Sequence, residues 1–348
     1  MAKSVIVVWT KTGVDGFEKN IPLLWSGRRN RKLGSKNKID VLFLQGYESL
    51  NKSYLANLKS TGYSLFDVSK IYKARAKKYK NLNRFGDYEK KCFLRWLVIK
   101  KFYQKSPLIH FDADVVFNET PEALSKRLGK YTFVLQGCPA FVSIANYKWL
   151  DCYQNALNQF VKNIEKYSKI AWKQRKGWQK SFKKKWAGSR FRPVISSDQD
   201  LISHLIHTDQ LPQDSPGIIK KAASDMILFE NPLYFFELNK KGAPFVYRRK
   251  GLVDYLNNKK AAFWHMQTNF ADYLKKIYLL KQRFLIPGRI HNPLESKKKK
   301  IDNIIYSILY TTKIPQNFKR IHIYKYFFEE KDFSLVFNNK TFWKGVFG

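Results

Sequence analysis

Three cysteines in 348 residues, Cys92, Cys138 and Cys152, are too few for a disulfide scaffold and lack the Cys-x-x-Cys spacing of a structural zinc site. Such usage fits a reducing compartment. Acidic residues are scarce as well, with 27 Asp and Glu against 65 Lys and Arg, a formal charge of +38. Long apolar runs are missing: the start MAKSVIVVWTKTG meets Lys11 and Gly13 too soon for a secretion signal, and no window approaches 18 apolar residues. The sequence therefore predicts a cytoplasmic chain that does not span a membrane. There is no internal repeat and no low-complexity linker beyond the four lysines at 297–300.

Aromatic residues are abundant. With 27 Phe, 20 Tyr, 9 Trp and a hydrophobic fraction of 44%, the chain lies far from disordered compositions, and its length suits one large α/β domain with an appendage. The positive charge exceeds what solubility requires and calls for an anionic partner: nucleic acid, anionic lipid or a phosphorylated substrate. It is concentrated in two places. Residues 164–192 hold eleven bases and one acid, and residues 271–348 hold sixteen bases and six acids. In the first, a helical stripe of Phe160, Ile164, Tyr167, Ala171, Trp178 and Phe182 runs beside Lys166, Lys169, Lys173, Lys176 and Lys180. That is the composition of a helix lying on an anionic membrane, and equally of a surface helix whose aromatic face packs on its own protein.

Apolar runs bounded by turn residues predict strands at Ser4–Trp9, Asp40–Gln45, Ser64–Ser69, Leu108–Phe111, Tyr131–Gly137, Pro139–Ile144 and Lys259–Gln267. A basic loop with Arg28, Arg29, Arg31 and Lys32 is expected between the first two. Helices are expected over Tyr88–Tyr103, after Thr120 as N-cap with Pro121 and Glu122 in the first turn, from Asn146 onward, and over Ser196–His207 with Ser196 or Ser197 as cap. Alternation of strand and helix over the first 145 residues predicts a nucleotide-binding α/β layer.

The segment Leu108–Asn118 is the most informative. Two carboxylates separated by one residue, Asp112 and Asp114, follow a buried strand and face a ligand crevice. Acids this close repel each other, and a divalent cation shared with a diphosphate removes that repulsion.

With HFDADVVF as a DxD motif, the chain resembles glycosyltransferases of the GT-A fold. The resemblance extends over residues 4–270 and implies a mixed, Rossmann-like sheet flanked by helices. It implies that Trp9 and Thr10 meet the nucleotide, that Lys91 or Arg95 on the helix before DxD contacts the donor, and that Asp112 bridges the metal or the ribose. SSDQDLISHLI resembles the DQD-type helix of glycosyltransferase family 8, making Asp198 and Asp200 candidate catalytic acids. AAFWHMQ resembles the late strand whose His completes the metal shell, here His265 beside Asp112 and Asp114. Where family 8 continues with Gly and a Lys-Pro pair, this chain has Met266, Gln267, Thr268 and Asn269, leaving Lys275 or a tail base to meet the diphosphate.

Taken together, these readings predict a hexosyltransferase-type enzyme with a catalytic domain over 1–270 and a basic extension over 271–348. Its cofactor would be Mn²⁺ or Mg²⁺, its donor a nucleotide diphosphate sugar with UDP-sugar favoured, and its acceptor a glycan or lipid-linked glycan. Peripheral attachment to an anionic membrane follows from the charge, and nucleic acid is disfavoured. The alternatives are a metal-dependent phosphatase, since HFDADVV also resembles the nucleophile motif of haloacid-dehalogenase-like enzymes, a metal-dependent nuclease, or a nucleic-acid-binding protein. The phosphatase motif normally opens its domain, whereas here more than a hundred residues precede it.

Overall fold

The run SVIVV is apolar except at its first residue, and it forms β1 (Lys3–Trp9), a strand buried on both faces: Val5 and Val7 enter one core, Ile6 and Val8 the other. The computed structural model describes residues 2–104, 107–174, 195–228, 245–266 and 333–337. After β1 come α1 (Val14–Asn20), α2 (Leu23–Lys32), β2 (Ile39–Gln45), α3 (Lys52–Ser60), β3 (Tyr63–Asp67), α4 (Ser69–Lys78) and α5 (Asp87–Tyr103). Next are β4 (Leu108–Phe111), β5 (Val115–Phe117), α6 (Pro121–Leu128), β6 (Phe133–Val134), β7 (Phe141–Ile144), α7 (Lys148–Lys162) and α8 (Ile164–Gln174). The described elements end with α9 (Asp198–His207), α10 (Pro216–Ala222), β8 (Met226–Ile227), β9 (Phe245–Lys250), β10 (Val253–Leu256), β11 (Lys259–Ala261), β12 (Phe263–His265) and β13 (Phe333–Phe337).

The central sheet has the order β3-β2-β1-β4-β7-β6; its first four strands are parallel, and β7 and β6 are antiparallel to their neighbours. One face is covered by α4, α5, α7, α8 and α9 through residues such as Tyr72, Trp96, Trp149, Leu157 and Leu201, and the other by α1, α2, α3, α6 and α10 through Phe17, Leu23, Leu58, Leu124 and Ile219. This is the helix-flanked mixed α/β sheet expected from the sequence and consistent with a GT-A-like arrangement. Because β1 pairs with β2 on one side and β4 on the other, a crevice opens at the carboxyl ends of β1 and β4, the usual ligand position in open α/β sheets.

Several expectations need correcting. The stretch holding Arg28, Arg29, Arg31 and Lys32 is helix rather than loop, and Arg29 is buried. The run 131–137 is extended only at Phe133–Val134, then tightens into a 3₁₀ turn in which Gln136 has a φ of 51°. The long helix breaks at Asn163, whose Oδ1 accepts the Lys166 N–H at 2.9 Å and starts α8. Phe160, Ile164 and Ala171 of the aromatic stripe are buried in the core, with Tyr167 packed against it, so the described part of that stripe faces inward; Trp178 and Phe182 lie outside the described residues.

The late strand is two strands. At Ala262 the chain leaves the second sheet, β13-β9-β10-β11-β8, and begins a separate antiparallel pair of β12 with β5. Ala262 makes the transfer by donating to Ile227 O while its carbonyl accepts the Asn118 and Glu119 N–H groups. The expected boundary at 270 lies outside the described residues, whereas β13, from the basic extension, pairs antiparallel with β9. Among the described residues, no helix is long and apolar enough to cross a membrane.

Candidate metal and nucleotide site

β4 delivers Asp112 to the crevice, and a tight turn returns the chain into β5. The Asp112 N–H donates to Ala140 O at 2.9 Å, and the Val115 N–H reaches back to Asp112 O at 3.2 Å. Antiparallel pairing then sets His265 opposite Val115, with Met266 N–H donating to Asp114 O at 2.9 Å. Register thus carries a histidine about 150 residues downstream to the two aspartates. His265 Nε2 lies 3.3 Å from Asp114 Oδ1 and 3.9 Å from Asp112 Oδ2, and one ligand atom from each residue fits within a 4.8 Å span. Ligands at bonds of about 2.1–2.4 Å in an octahedral shell stand roughly 3.0–3.4 Å apart when adjacent, so this set lies close to the spacing that a divalent cation needs. Two carboxylates and one imidazole, with no thiolate, suit Mn²⁺ or Mg²⁺.

The two faces of Asp112 differ. Its Oδ1 accepts from Arg95 Nη1 at 2.6 Å and from His110 Nε2 at 3.1 Å, while Oδ2 makes no hydrogen bond among the described residues. Burial by itself would raise the Asp112 carboxyl pKa, but the Arg95 guanidinium and the His110 N–H outweigh it and hold the group well below the usual carboxylate range. Arg95, buried on α5, also binds Asp198 through Nε and Nη2, both at 2.8 Å, and its charge is secured by these two aspartates despite its burial. His110 was not singled out in the sequence. The available signal was a lone polar residue inside the apolar run LIHF.

The remaining expected site residues fall into two groups. Lys91, one helical turn before Arg95 on the same face, is buried and ion-paired with Asp87, which also binds Lys11 at 2.9 Å; hydrogen bonds from Lys91 and Lys11 lower the Asp87 pKa. Trp9 ends β1 at the crevice with its ring edge-on to Tyr88, centroids 5.4 Å apart, and Tyr88 is 63% exposed. Thr10 is buried, and its hydroxyl bonds to Thr12 at 3.0 Å. It also forces glycine at 46: φ there is +87°, and a Cβ would stand 2.4 Å from Thr10 O.

Asp198 and Asp200 are both already engaged. Asp198 is 2% exposed, and its Oδ2 accepts from Arg95 and from Trp96 Nε1 at 2.9 Å. Asp200 closes a capping box with Ser197, its Oδ2 accepting Ser196 N–H at 2.9 Å and Ser197 N–H at 3.2 Å. Of the two caps the sequence allowed, Ser197 is the one used, and Asp200 rather than Asp198 completes the capping box.

Behind the metal-ligand group lies a second network. Arg249 and Asp254, both fully buried, are joined at 2.6 and 3.0 Å, and Asp254 Oδ2 also accepts from Trp264 Nε1 at 2.7 Å, next to His265. Arg29 on α2 donates to Phe117 O at 3.2 Å, to Asn118 Oδ1 at 3.0 Å and to Leu252 O, tying the end of β5 to the β9–β10 turn.

No protein-family model and no curated protein matches the chain. Among solved structures it is similar to the apo form of the glycosyltransferase GlyE from Streptococcus pneumoniae TIGR4, with 13% identity and a TM-score of 0.32. The superposition covers 63% of this chain and 46% of that one. A likeness this loose fixes no chemistry, and the site's own residues carry the functional reading.

Proposed function

We propose that the chain is a metal-dependent glycosyltransferase of hexosyltransferase type, taking a sugar from a nucleotide diphosphate sugar, with UDP-sugar favoured, to a glycan or lipid-linked glycan. The observation that supports this most is the convergence of Asp112, Asp114 and His265 at the carboxyl end of β4, beside the β1–β4 crevice. Asp112 Oδ2, Asp114 and His265 would hold Mn²⁺ or Mg²⁺, which supplies positive charge where negative charge builds on the departing diphosphate. The chain's own groups work in the same direction. Arg95 places a fixed guanidinium against Asp112, and Lys11 and Lys91 both pair with Asp87, on the same helix as Arg95. Trp9 and Tyr88 offer aromatic surface to a nucleobase. Asp198 keeps Arg95 in place.

The acceptor reading comes from charge. Lys166, Lys169 and Lys173 are exposed on α8 while the aromatic side of that helix packs inward, so attachment to an anionic surface would be electrostatic and lost in salt. Vesicles of anionic lipid should pull the protein down at low ionic strength and release it at high.

The decisive test is thermal stabilisation by UDP, GDP, CMP, UDP-sugars or single-stranded nucleic acid, with and without Mn²⁺, in wild type and Asp114→Ala. A specific nucleotide diphosphate at a hundred times its Kd should add about 2.7 kcal/mol, dependent on Mn²⁺ and abolished by the substitution. Stabilisation by nucleic acid alone, indifferent to metal and to Asp114, would overturn the proposal.

A further inference from the structure

His110 does something that a metal-dependent transferase site does not by itself require. It sits within β4, between Ile109 and Phe111, with no exposed surface, and its ring packs edge-on against Trp96 with centroids 5.0 Å apart. Among the described residues Nδ1 has no hydrogen-bond partner, and the ring's polar contacts are made by Nε2, 3.1 Å from Asp112 Oδ1 and 3.4 Å from Arg95 Nη1. With Nδ1 unpartnered, the ring proton is assigned to Nε2, the nitrogen that meets the carboxylate. Arg95 Nη1 reaches the same oxygen at 2.6 Å. Two N–H donors therefore converge on Oδ1, and Oδ2 alone is turned toward His265, 3.9 Å away.

Carboxylate coordination mode discriminates among hard cations. Ca²⁺ takes six to eight oxygens at about 2.3–2.6 Å and accepts two-oxygen carboxylate ligation, whereas Mg²⁺ demands a six-ligand octahedron at about 2.1 Å. To chelate with both oxygens, Asp112 would have to give up two hydrogen bonds, one of them to a guanidinium.

We propose that His110 is a positioning residue that, together with Arg95, occupies Oδ1 of Asp112 and restricts this carboxylate to single-oxygen ligation, selecting a small octahedral cation such as Mn²⁺ over Ca²⁺. This rests on the metal-dependent reading of the site. His110 touches no substrate; it acts through Asp112.

The test is a Mn²⁺ titration of the full chain, free Mn²⁺ read by its electron paramagnetic resonance signal, with Ca²⁺ as competitor. Wild type should bind Mn²⁺ and yield little of it to Ca²⁺. His110→Phe, which keeps a buried ring but removes the donor, should narrow the Mn²⁺-to-Ca²⁺ preference about tenfold, equivalent to about 1.4 kcal/mol. His110→Gln, which returns a side-chain N–H, should recover much of it. His110→Asn, whose shorter amide does not reach Oδ1, should behave like Phe and serves as the readout if the Phe variant fails to fold. A wild-type preference retained in a folded Phe or Asn variant would overturn the proposal while leaving the metal site intact. Failure of wild type to bind any Mn²⁺ that Asp114→Ala removes would overturn both this proposal and the metal-dependent reading beneath it.

Discussion

Arg249 and Asp254 meet behind β12 with neither side chain exposed, and both oxygens of Asp254 are spent, one on Arg249 and the other on Arg249 and Trp264. Arg95 meets Asp112 at the crevice, where Asp112 is 26% exposed and keeps Oδ2 unbonded. The ingredients are the same and the outcomes differ. A saturated pair has nothing left to offer a ligand and serves only to fix the strand that carries His265. A pair with one oxygen left over retains binding capacity, and its arginine is stabilised from a second side by Asp198, so that Oδ2 can remain available. Spare acceptor capacity, rather than burial or the presence of an ion pair, separates the candidate site from its support.

The largest effect that would break this comparison belongs to the closed pair. Asp254→Ala leaves Arg249 buried without its carboxylate and should cost about 3–5 kcal/mol in urea unfolding, whereas replacing both partners with apolar residues should recover much of that loss. Equal loss in the single and double variants would mean that packing, not charge, holds this region. An intermediate effect is expected for Asp198→Asn, which weakens the second support of Arg95: roughly 1–3 kcal/mol of stability, with turnover per folded molecule falling less than tenfold. A thousandfold loss of turnover at unchanged stability would restore Asp198 as the reacting carboxylate. The smallest change is Asp200→Ala, about 1 kcal/mol from loss of the helix cap, with turnover held within twofold. A larger loss of turnover there would place the helix start inside the active site.

Features legible in the sequence were those specified locally. The apolar runs of β1, β2 and β4, the Thr120 cap followed by Pro121, and the acids at the end of β4 depend on neighbours a few residues away. Where tertiary contact decides, local reading failed. A basic stretch became α2 because Arg29 finds buried carbonyls near β5, and a continuous late strand became two because Ala262 changes hydrogen-bonding partners. That Asp198 is engaged by Arg95 and Trp96 depends on the packing of α9 against α5, which no local pattern specifies. His265 was identified only through family resemblance, since nothing in FWHMQ says that it pairs with VVF. His110 read as filler in a strand, and only the side-by-side placement of β4 and α5 reveals its contact with the oxygen that Arg95 also holds.

The β5–β12 pairing has a kinetic consequence. Asp112 and Asp114 are placed as soon as β4 and its turn form, but His265 joins them only when a strand about 150 residues away has docked, and contacts of that separation carry a large loop-closure cost. A cation bound by all three groups would therefore stabilise interactions made late in folding. It should slow unfolding while barely changing the folding rate, so that bound metal acts as a latch on the finished molecule rather than a nucleus for its formation.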